Sequence, residues 1–176
     1  MPGSSSPATE APVRVRRATP ADATIIARHR ARMFEEMGEL PSERYEALHS
    51  AAETYLEDAI GRGEYVGWLA APADDLARIV AGAGVQRRRV LPHPVTQADG
   101  RVRIAEGRHA IVLNVYTDPD WRRRGLGELL MREVMAWARA ERLDRLVLHA
   151  SDAGRPLYER LGFAATNEMR FAGALW

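Results

Sequence analysis

The most continuous apolar segment of the chain covers residues 109–117, with the sequence His-Ala-Ile-Val-Leu-Asn-Val-Tyr-Thr. A nearly unbroken apolar run of this length is typical of a central strand that is covered on both faces. Asp-Pro-Asp follows at 118–120, and apolar residues such as Leu126 and Leu130 then recur at helical spacing over 125–142. The pattern predicts a buried strand, a turn and an amphipathic helix, in that order.

The rest of the chain divides into shorter segments with the periodicity of strands or helices. Strands are predicted over 13–16, 64–71, 78–90, 145–150 and 164–171, and helices over 20–38, 42–60 and 153–161. Residues 91–107 contain Pro92, Pro94 and Gly100, and are predicted to be a long connection. This order of elements predicts a mixed α/β fold.

Length and composition indicate one globular domain. With 176 residues, of which 46% are hydrophobic and 28% charged, the chain can bury a core of its own. Residues 1–12 are rich in Pro, Ser and Ala, so we expect a disordered leader there and a single domain over 13–176. The formal net charge of +1 gives no overall field that would favour nucleic acid or an acidic membrane surface.

The sequence patterns of membrane insertion and secretion do not occur in the chain. No apolar run approaches the roughly 20 residues that span a bilayer. Residues 1–7 have neither the basic start nor the apolar stretch of a signal peptide. We therefore expect a cytoplasmic protein that does not act at a membrane.

Two reactive residue types are absent from the sequence. The chain contains no cysteine, and all 25 residues of its Lys+Arg count are arginine. Disulfides, thiolate metal sites, a cysteine nucleophile and a lysine Schiff base are therefore excluded, and we predict no metal site. Direct transfer between two bound substrates is the simpler expectation for any group-transfer chemistry.

The turn before the amphipathic helix has the features of an anion site. Arg122, Arg123 and Arg124 precede Gly125 and Gly127, and the first amides of a helix have no partner within it. The helix dipole alone is worth roughly 0.3–2 kcal/mol to an anion, so a diphosphate would also need the arginine side chains. The alternative is a solvated basic turn. A Walker-type phosphate loop is excluded because the chain has no Gly-Lys-Ser/Thr sequence.

Two sequence blocks carry a family resemblance. Residues 115–127 read Val-Tyr-Thr-Asp-Pro-Asp-Trp-Arg-Arg-Arg-Gly-Leu-Gly, and Leu-His-Ala-Ser at 148–151 is followed by Pro-Leu-Tyr-Glu-Arg-Leu-Gly-Phe at 156–163. In these blocks, which cover about the last third of the chain, the sequence resembles the GNAT superfamily of N-acetyltransferases. The resemblance implies a GNAT-like fold, with a central, mostly antiparallel sheet whose two middle strands are parallel and splayed, flanked by helices.

The same resemblance implies acetyl-CoA as the cofactor. Amides of the turn would hold its diphosphate, main-chain groups of the central strand its pantetheine arm, and a tyrosine would stand near its sulfur. Ser151 occupies a position where many relatives have asparagine. The cofactor-binding residues implied in this way are Val115, Tyr116, Thr117, Arg122, Arg123, Arg124, Gly125, Leu126, Gly127, Ser151 and Tyr158.

Acetyl transfer to an amine has three chemical requirements. The amine must be neutral, and deprotonating a lysine-like amine with a pKa near 10.4 costs about 4–5 kcal/mol at pH 7. The tetrahedral oxyanion needs a donor, for which the Val115 amide is the candidate. Tyr158, with an ordinary pKa near 10, can protonate the leaving thiolate and is the candidate general acid. A packed aromatic is the alternative interpretation of Tyr158.

The base and the acceptor pocket are less defined by the sequence. Glu36 is the candidate base, with Glu35 beside it, but a solvated helix face and a relay through water remain open. The acceptor pocket is predicted to contain Arg32, Met33, Glu36 and Asn114, although the methionine also suits a core.

Two classes of function are consistent with these residues. The first is an acetyl-CoA-dependent N-acetyltransferase that passes the acetyl group directly, in a ternary complex, to a primary amine of a small molecule or peptide. The alternative is a catalytically silent acyl-CoA-binding sensor or interaction domain. We expect no nucleic-acid partner, and because relatives are often dimers the resemblance allows a homodimer.

Overall fold

A computed structural model describes residues 12–97 and 99–169. Apart from Pro12, the predicted leader lies outside the described residues. The strands are β1 Val13–Arg17, β2 Tyr65–Pro72, β3 Ala81–Arg89, β4 His93–Thr96, β5 Val102–Ala105, β6 Arg108–Thr117 and β7 Arg145–Leu148. The helices are α1 Ala23–Glu36, α2 Tyr45–Gly61, α3 Leu126–Ala140 and α4 Arg155–Arg160, with short 3₁₀ turns at Pro20–Asp22, Ser42–Arg44 and Pro119–Trp121. No helix in the described part of the chain has the length and apolar character needed to cross a bilayer.

Five strands form the main sheet, in the order β1-β2-β3-β6-β7. Successive neighbours pair antiparallel from β1 to β6, and β6 pairs parallel with β7. The predicted mixed α/β fold is confirmed.

Both faces of the sheet are covered, because side chains of β2 point alternately to two cores. Leu69 and Ala71 pack with residues of α1 and α2, whereas Val66, Trp68 and Ala70 pack with residues of α3. This two-sided burial explains why β2, like β6, is almost entirely apolar.

The segment 91–107 contains regular structure that the sequence analysis did not predict. β4 and β5 pair antiparallel around a turn in which Gly100 has φ +80°. The Arg103 guanidinium donates to Asp144 at 2.8 Å, which fastens this hairpin to the segment before β7. The prolines favour an irregular connection, but Pro94 lies in β4, which among the described strands pairs only with β5.

The prediction of a strand over 164–171 is wrong for residues 164–169, which have no regular secondary structure. Residues 170–171 lie outside the described residues. All six residues from 164 to 169 are exposed. Their sequence, Ala-Ala-Thr-Asn-Glu-Met, offers little apolar area to bury against β7. Among the described strands, β7 is therefore at the end of the sheet, beside its parallel partner β6.

Candidate active site

The parallel strands β6 and β7 separate halfway along β6. Their pairing extends from His109 and Arg145 to Val112 and Leu148. Beyond Val112, β6 continues to Thr117 along β3 only, while β7 ends at Leu148. The sheet therefore opens into a fork between the second half of β6 and the segment that follows β7.

A β-bulge lies in β6 where the fork begins. Gly84 of β3 is opposite Leu113, but Gly82 is opposite Tyr116, so β6 has one residue more than β3 over this interval. Asn114 takes up the bulge with φ +56°, a backbone conformation that asparagine tolerates better than most residues. The bulge interrupts the β3–β6 ladder at Asn114 and Val115.

A buried polar network fixes the bulge. Asn114 Nδ2 donates to the Tyr65 hydroxyl at 3.1 Å, and Arg30 Nη1 donates to Asn114 Oδ1 at 2.8 Å. Tyr65 reaches Asn114 by crossing β3 at Gly84, where an added Cβ would lie 1.9 Å from the tyrosine oxygen. Gly84 is therefore required for this close approach. Burial raises the pKa of Tyr65 to about 12, so its hydroxyl stays protonated at neutral pH.

A cavity of about 710 Å³ occupies the fork and extends to α1. Its walls come from α1 and the residues after it, from β6, and from the segment between β7 and α4. The lining residues are Arg30, Met33, Phe34, Glu36, Met37, Glu39, Val112, Leu113, Asn114, Val115, Tyr116, Thr117, Arg122, Leu148, His149, Ala150, Ser151, Ala153 and Tyr158.

Three elements meet at the Glu36 carboxylate. The Tyr116 hydroxyl donates to it at 2.8 Å, and Arg122 forms an ion pair with it. Arg122 Nε also donates to the Thr117 carbonyl at 3.0 Å. Burial, followed by the hydrogen bond to Glu36, raises the pKa of Tyr116 to about 12. At neutral pH the tyrosine is therefore a donor and Glu36 its acceptor.

Tyr158 faces the cavity from the opposite wall. Its ring packs edge-on against Phe163, with ring centres 6.1 Å apart, and burial raises the pKa of its hydroxyl above the ordinary value. The hydroxyl is absent from the fully buried, unpartnered polar atoms of the described residues, and Tyr158 lines the cavity. Its raised pKa keeps it protonated at neutral pH.

Ser151 shapes the loop that leads into α4. Its hydroxyl accepts a hydrogen bond from the Gly154 amide at 3.2 Å, and its carbonyl accepts one from the Arg155 amide at 2.9 Å. Because this hydroxyl still has a proton to donate, it can also bond to a group in the cavity.

The start of α3 presents unpaired amides beyond the cavity. Gly125 caps the helix with φ +75°, and an added Cβ there would have no neighbour within 4 Å. Its carbonyl accepts the first helical hydrogen bond, from Leu129 at 2.9 Å, so the amides of 126–128 have no acceptor in the preceding turn. Arg124 Nη2 donates to the Asp120 carbonyl at 3.0 Å, and its guanidinium lies 4.7 Å from the Trp121 ring centre.

Comparison with known proteins identifies the family. A family model described as the acetyltransferase (GNAT) family matches residues 30–163, which is more than half of the chain. The chain belongs to this GNAT acetyltransferase family. Among curated proteins, none matches the chain.

Solved structures of acetyltransferases share the GNAT fold of this protein. A GCN5-related N-acetyltransferase from Ralstonia eutropha is 29% identical with a TM-score of 0.77, and the match covers 92% of this chain and 100% of that one. A predicted acetyltransferase from Clostridium acetobutylicum, solved with acetyl-CoA, is 22% identical with a TM-score of 0.73 over 92% of this chain and 96% of that one. An aminoglycoside acetyltransferase from an uncultured soil sample is 13% identical with a TM-score of 0.63 over 94% of this chain and 99% of that one. The likeness to the last two shows the fold alone.

The cavity of this GNAT protein brings together most of the residues that the sequence singled out. These are Met33, Glu36, Asn114, Val115, Tyr116, Thr117, Arg122, Ser151 and Tyr158. Arg123, Arg124, Gly125, Leu126 and Gly127 lie at the start of α3 and do not line this cavity. Arg32 does not line it either, although it was predicted in the acceptor pocket; its side chain is exposed.

Sequence reasoning missed Arg30, which lines the cavity together with Met33, Phe34 and Met37. The four residues have the spacing i, i+3, i+4 and i+7, which places them on one face of a helix. Arg32, two positions from Arg30, is not part of this row. The helical spacing around Met33 was therefore the signal that could have found Arg30.

Proposed function

We propose that this protein is an acetyl-CoA-dependent N-acetyltransferase that passes the acetyl group directly, in a ternary complex, to a primary amine of a small molecule or peptide. The observation that carries the proposal is the fork between β6 and β7, with Tyr158 on one wall and Glu36 on the other. A carboxylate and a protonated phenol across one cavity can accept a proton from an acceptor and deliver one to a leaving group.

The start of α3 has open space that could hold the diphosphate of acetyl-CoA. The unpaired amides of 126–128 and the absence of any neighbour above Gly125, within the part of the chain described, suit a diphosphate. Val115 and Thr117 would hold the pantetheine arm along β6. Acetyl-CoA supplies an acetyl group activated as a thioester.

The residues have distinct roles in this proposal. Glu36 would accept the proton of the acceptor amine, directly or through water, and its bonds to Tyr116 and Arg122 hold it in place. The Val115 amide would donate to the oxyanion. Tyr158 would protonate the departing sulfur, since its raised pKa keeps the proton available.

A thiol-release assay with a panel of primary amines tests the proposal. Release of free thiol that depends on both acetyl-CoA and an amine is the expected result. Stabilisation of the protein by acetyl-CoA without thiol release from any amine would instead support a silent acyl-CoA sensor.

A further inference from the structure

The two guanidinium groups in the cavity wall differ in how their charges are balanced. Arg122 is paired with Glu36. For Arg30, no carboxylate among residues 12–97 and 99–169 comes within 4.0 Å. Its observed contacts are neutral: the Asn114 side-chain oxygen at 2.8 Å and the Phe34 ring, whose centre lies 4.8 Å from Cζ. Arg30 is thus a cation in a cavity without a counterion from the described chain.

The position of this guanidinium is set by the buried network at the bulge. Asn114 is 5% exposed and Tyr65 is 3% exposed, and their mutual hydrogen bond fixes the amide that Arg30 contacts. Phe34, one turn along α1, supports the guanidinium from its face. Arg30 is therefore oriented before any ligand arrives, which reduces the ordering cost of binding.

Such a group favours an anionic ligand. Arg30 is half-buried, and burial lowers its pKa, yet a guanidinium remains charged at neutral pH. A cation that is partly removed from water without a counterion is unfavourable, and an anion that binds it removes this penalty. None of the Arg30 nitrogens is both fully buried and unpartnered, so those that lack a protein acceptor are accessible to a ligand, and Arg30 lines the cavity.

The geometry points to the chemical class of the acceptor, on the condition that the proposed N-acetyltransferase function holds. We propose that the acceptor is an amine that also carries a carboxylate, as amino acids do, and that Arg30 binds this carboxylate. Arginine has the planar fork of donors that matches a carboxylate. Asn114, to which Arg30 is bonded, immediately precedes Val115, the candidate oxyanion donor. An acceptor whose carboxylate binds Arg30 would therefore have its amine close to the place where that amine reacts.

The other charges of the cavity favour a carboxylate over a phosphate. Glu36 and Glu39 also line the cavity, so its two positive arginines are matched by two negative side chains. A ligand with one positive and one negative group leaves this balance unchanged. A phosphate monoester with close to two negative charges would be repelled more strongly by the glutamates.

The first experiment compares each acetylated amino acid with its carboxamide. The twenty standard amino acids are assayed with acetyl-CoA by thiol release, followed by the carboxamides of those that react. We expect kcat/KM to be about 10- to 100-fold lower for the amides, which is the range for losing a charge-assisted hydrogen bond. An amide substituent lowers the pKa of the neighbouring amine, so basicity alone would predict the opposite order.

Variants test whether Arg30 causes this preference. In Arg30→Gln the acid-to-amide ratio is expected to fall to near one, and Arg30→Lys is expected to restore part of it. Arg14→Gln makes the same chemical change on β1, at an exposed position outside the cavity, and is expected to keep the wild-type ratio. Melting temperatures with and without acetyl-CoA establish that each variant is folded; if Arg30→Gln is not, the comparison in the wild type and Arg30→Lys decides.

The outcomes separate this inference from the proposed function. Equal rates for acids and amides, or a wild-type ratio retained in Arg30→Gln, would overturn the inference and leave the acetyltransferase function standing. A preference for O-phosphoethanolamine over every amino acid would overturn the carboxylate assignment. If neither amino acids, their amides nor simple amines are acetylated, the proposed function fails and the inference fails with it.

Discussion

The Tyr116 hydroxyl donates a hydrogen bond to the Glu36 carboxylate at 2.8 Å, which joins the end of β6 to the last residue of α1. Arg122 reaches the same carboxylate from the turn before α3. Glu36 is therefore held from two sides in the cavity wall. A carboxylate positioned in this way can act on an acceptor without first being ordered.

Glu36→Gln tests the role of this carboxylate. The amide keeps the shape and a hydrogen-bond acceptor for Tyr116, but it cannot accept a proton at neutral pH. We expect kcat to fall about 100-fold or more, as is usual when a general base is lost, while acetyl-CoA still raises the melting temperature.

Glu35→Gln is the matched control for this substitution. Glu35 does not line the cavity, and its carboxylate accepts a hydrogen bond from Ser42 at 3.1 Å. Its loss is expected to leave kcat within about twofold of the wild type. Similar losses in both variants would argue that general damage to α1, and not the base, lowers the rate.

Tyr158→Phe removes the candidate acid and keeps the ring packed against Phe163. We expect a fall in kcat of about 100-fold or more with little change in acetyl-CoA affinity. Tyr55→Phe, at a site that is 46% exposed on α2, is expected to leave kcat unchanged. Full activity in Tyr158→Phe would exclude an acid role for this hydroxyl.

The pH dependence follows from the direction of the Tyr158 shift. Burial raises the pKa of this hydroxyl above its ordinary value of 10.0. A general acid acts only when protonated, so its contribution is complete throughout the neutral range and is lost only above pH 10. The ratio of wild-type to Tyr158→Phe kcat should therefore be constant between pH 7 and 9.

Gly125→Ala tests the start of α3. At φ +75° an alanine costs about 1–2 kcal/mol in the left-handed region, and any relaxation of the backbone moves the unpaired amides. We expect a lower melting temperature together with a smaller shift on adding acetyl-CoA.

Gly63→Ala separates these two effects. Gly63 has φ +69°, and like Gly125 it has no neighbour within 4 Å of an added Cβ, but it lies between α2 and β2. The stability loss should be similar, with an unchanged acetyl-CoA shift. An undiminished shift in Gly125→Ala would count against a diphosphate site at this helix start.

The sequence was most informative where an element depends on its own residues. The buried strand β6 and the amphipathic helix α3 follow from local periodicity, and the turn between them from its arginines and glycines. Asn114 was recognised as a strand residue, but its bulge depends on Tyr65, which is 49 positions away. Arg30, which donates a hydrogen bond to Asn114, is 84 positions away from it in the sequence. Partners this distant are brought together by packing, which a local pattern does not encode.

His29 provides a pH-dependent test of the packing between α1 and the sheet. It is 1% exposed, and its ring centre lies 5.1 Å from that of Tyr116. Burial, with smaller effects of Arg28 and Arg32, lowers its pKa from 6.5 to about 3. Below pH 6.5 the unfolded chain gains a proton that the folded chain does not, so stability falls as the pH falls towards 3.

Protonation of this histidine in the unfolded chain should lower the free energy of unfolding by about 2 kcal/mol between pH 7 and pH 5. Urea unfolding at the two pH values measures it, and His29→Gln should show a correspondingly smaller loss over the same interval. Between pH 9 and pH 8, where neither state takes up an appreciable fraction of this proton, wild type and variant should change alike. Equal losses between pH 7 and pH 5 would show that His29 does not contribute.

The opening between β6 and β7 has a consequence for how this protein can diverge. One wall of the cavity is formed by β6, whose backbone amides and carbonyls persist under most substitutions. Another wall is formed by side chains of α1 and of the residues that follow it. Exchanging a few residues on one face of α1 can therefore alter which molecule is accepted, while the backbone opposite it is inherited unchanged.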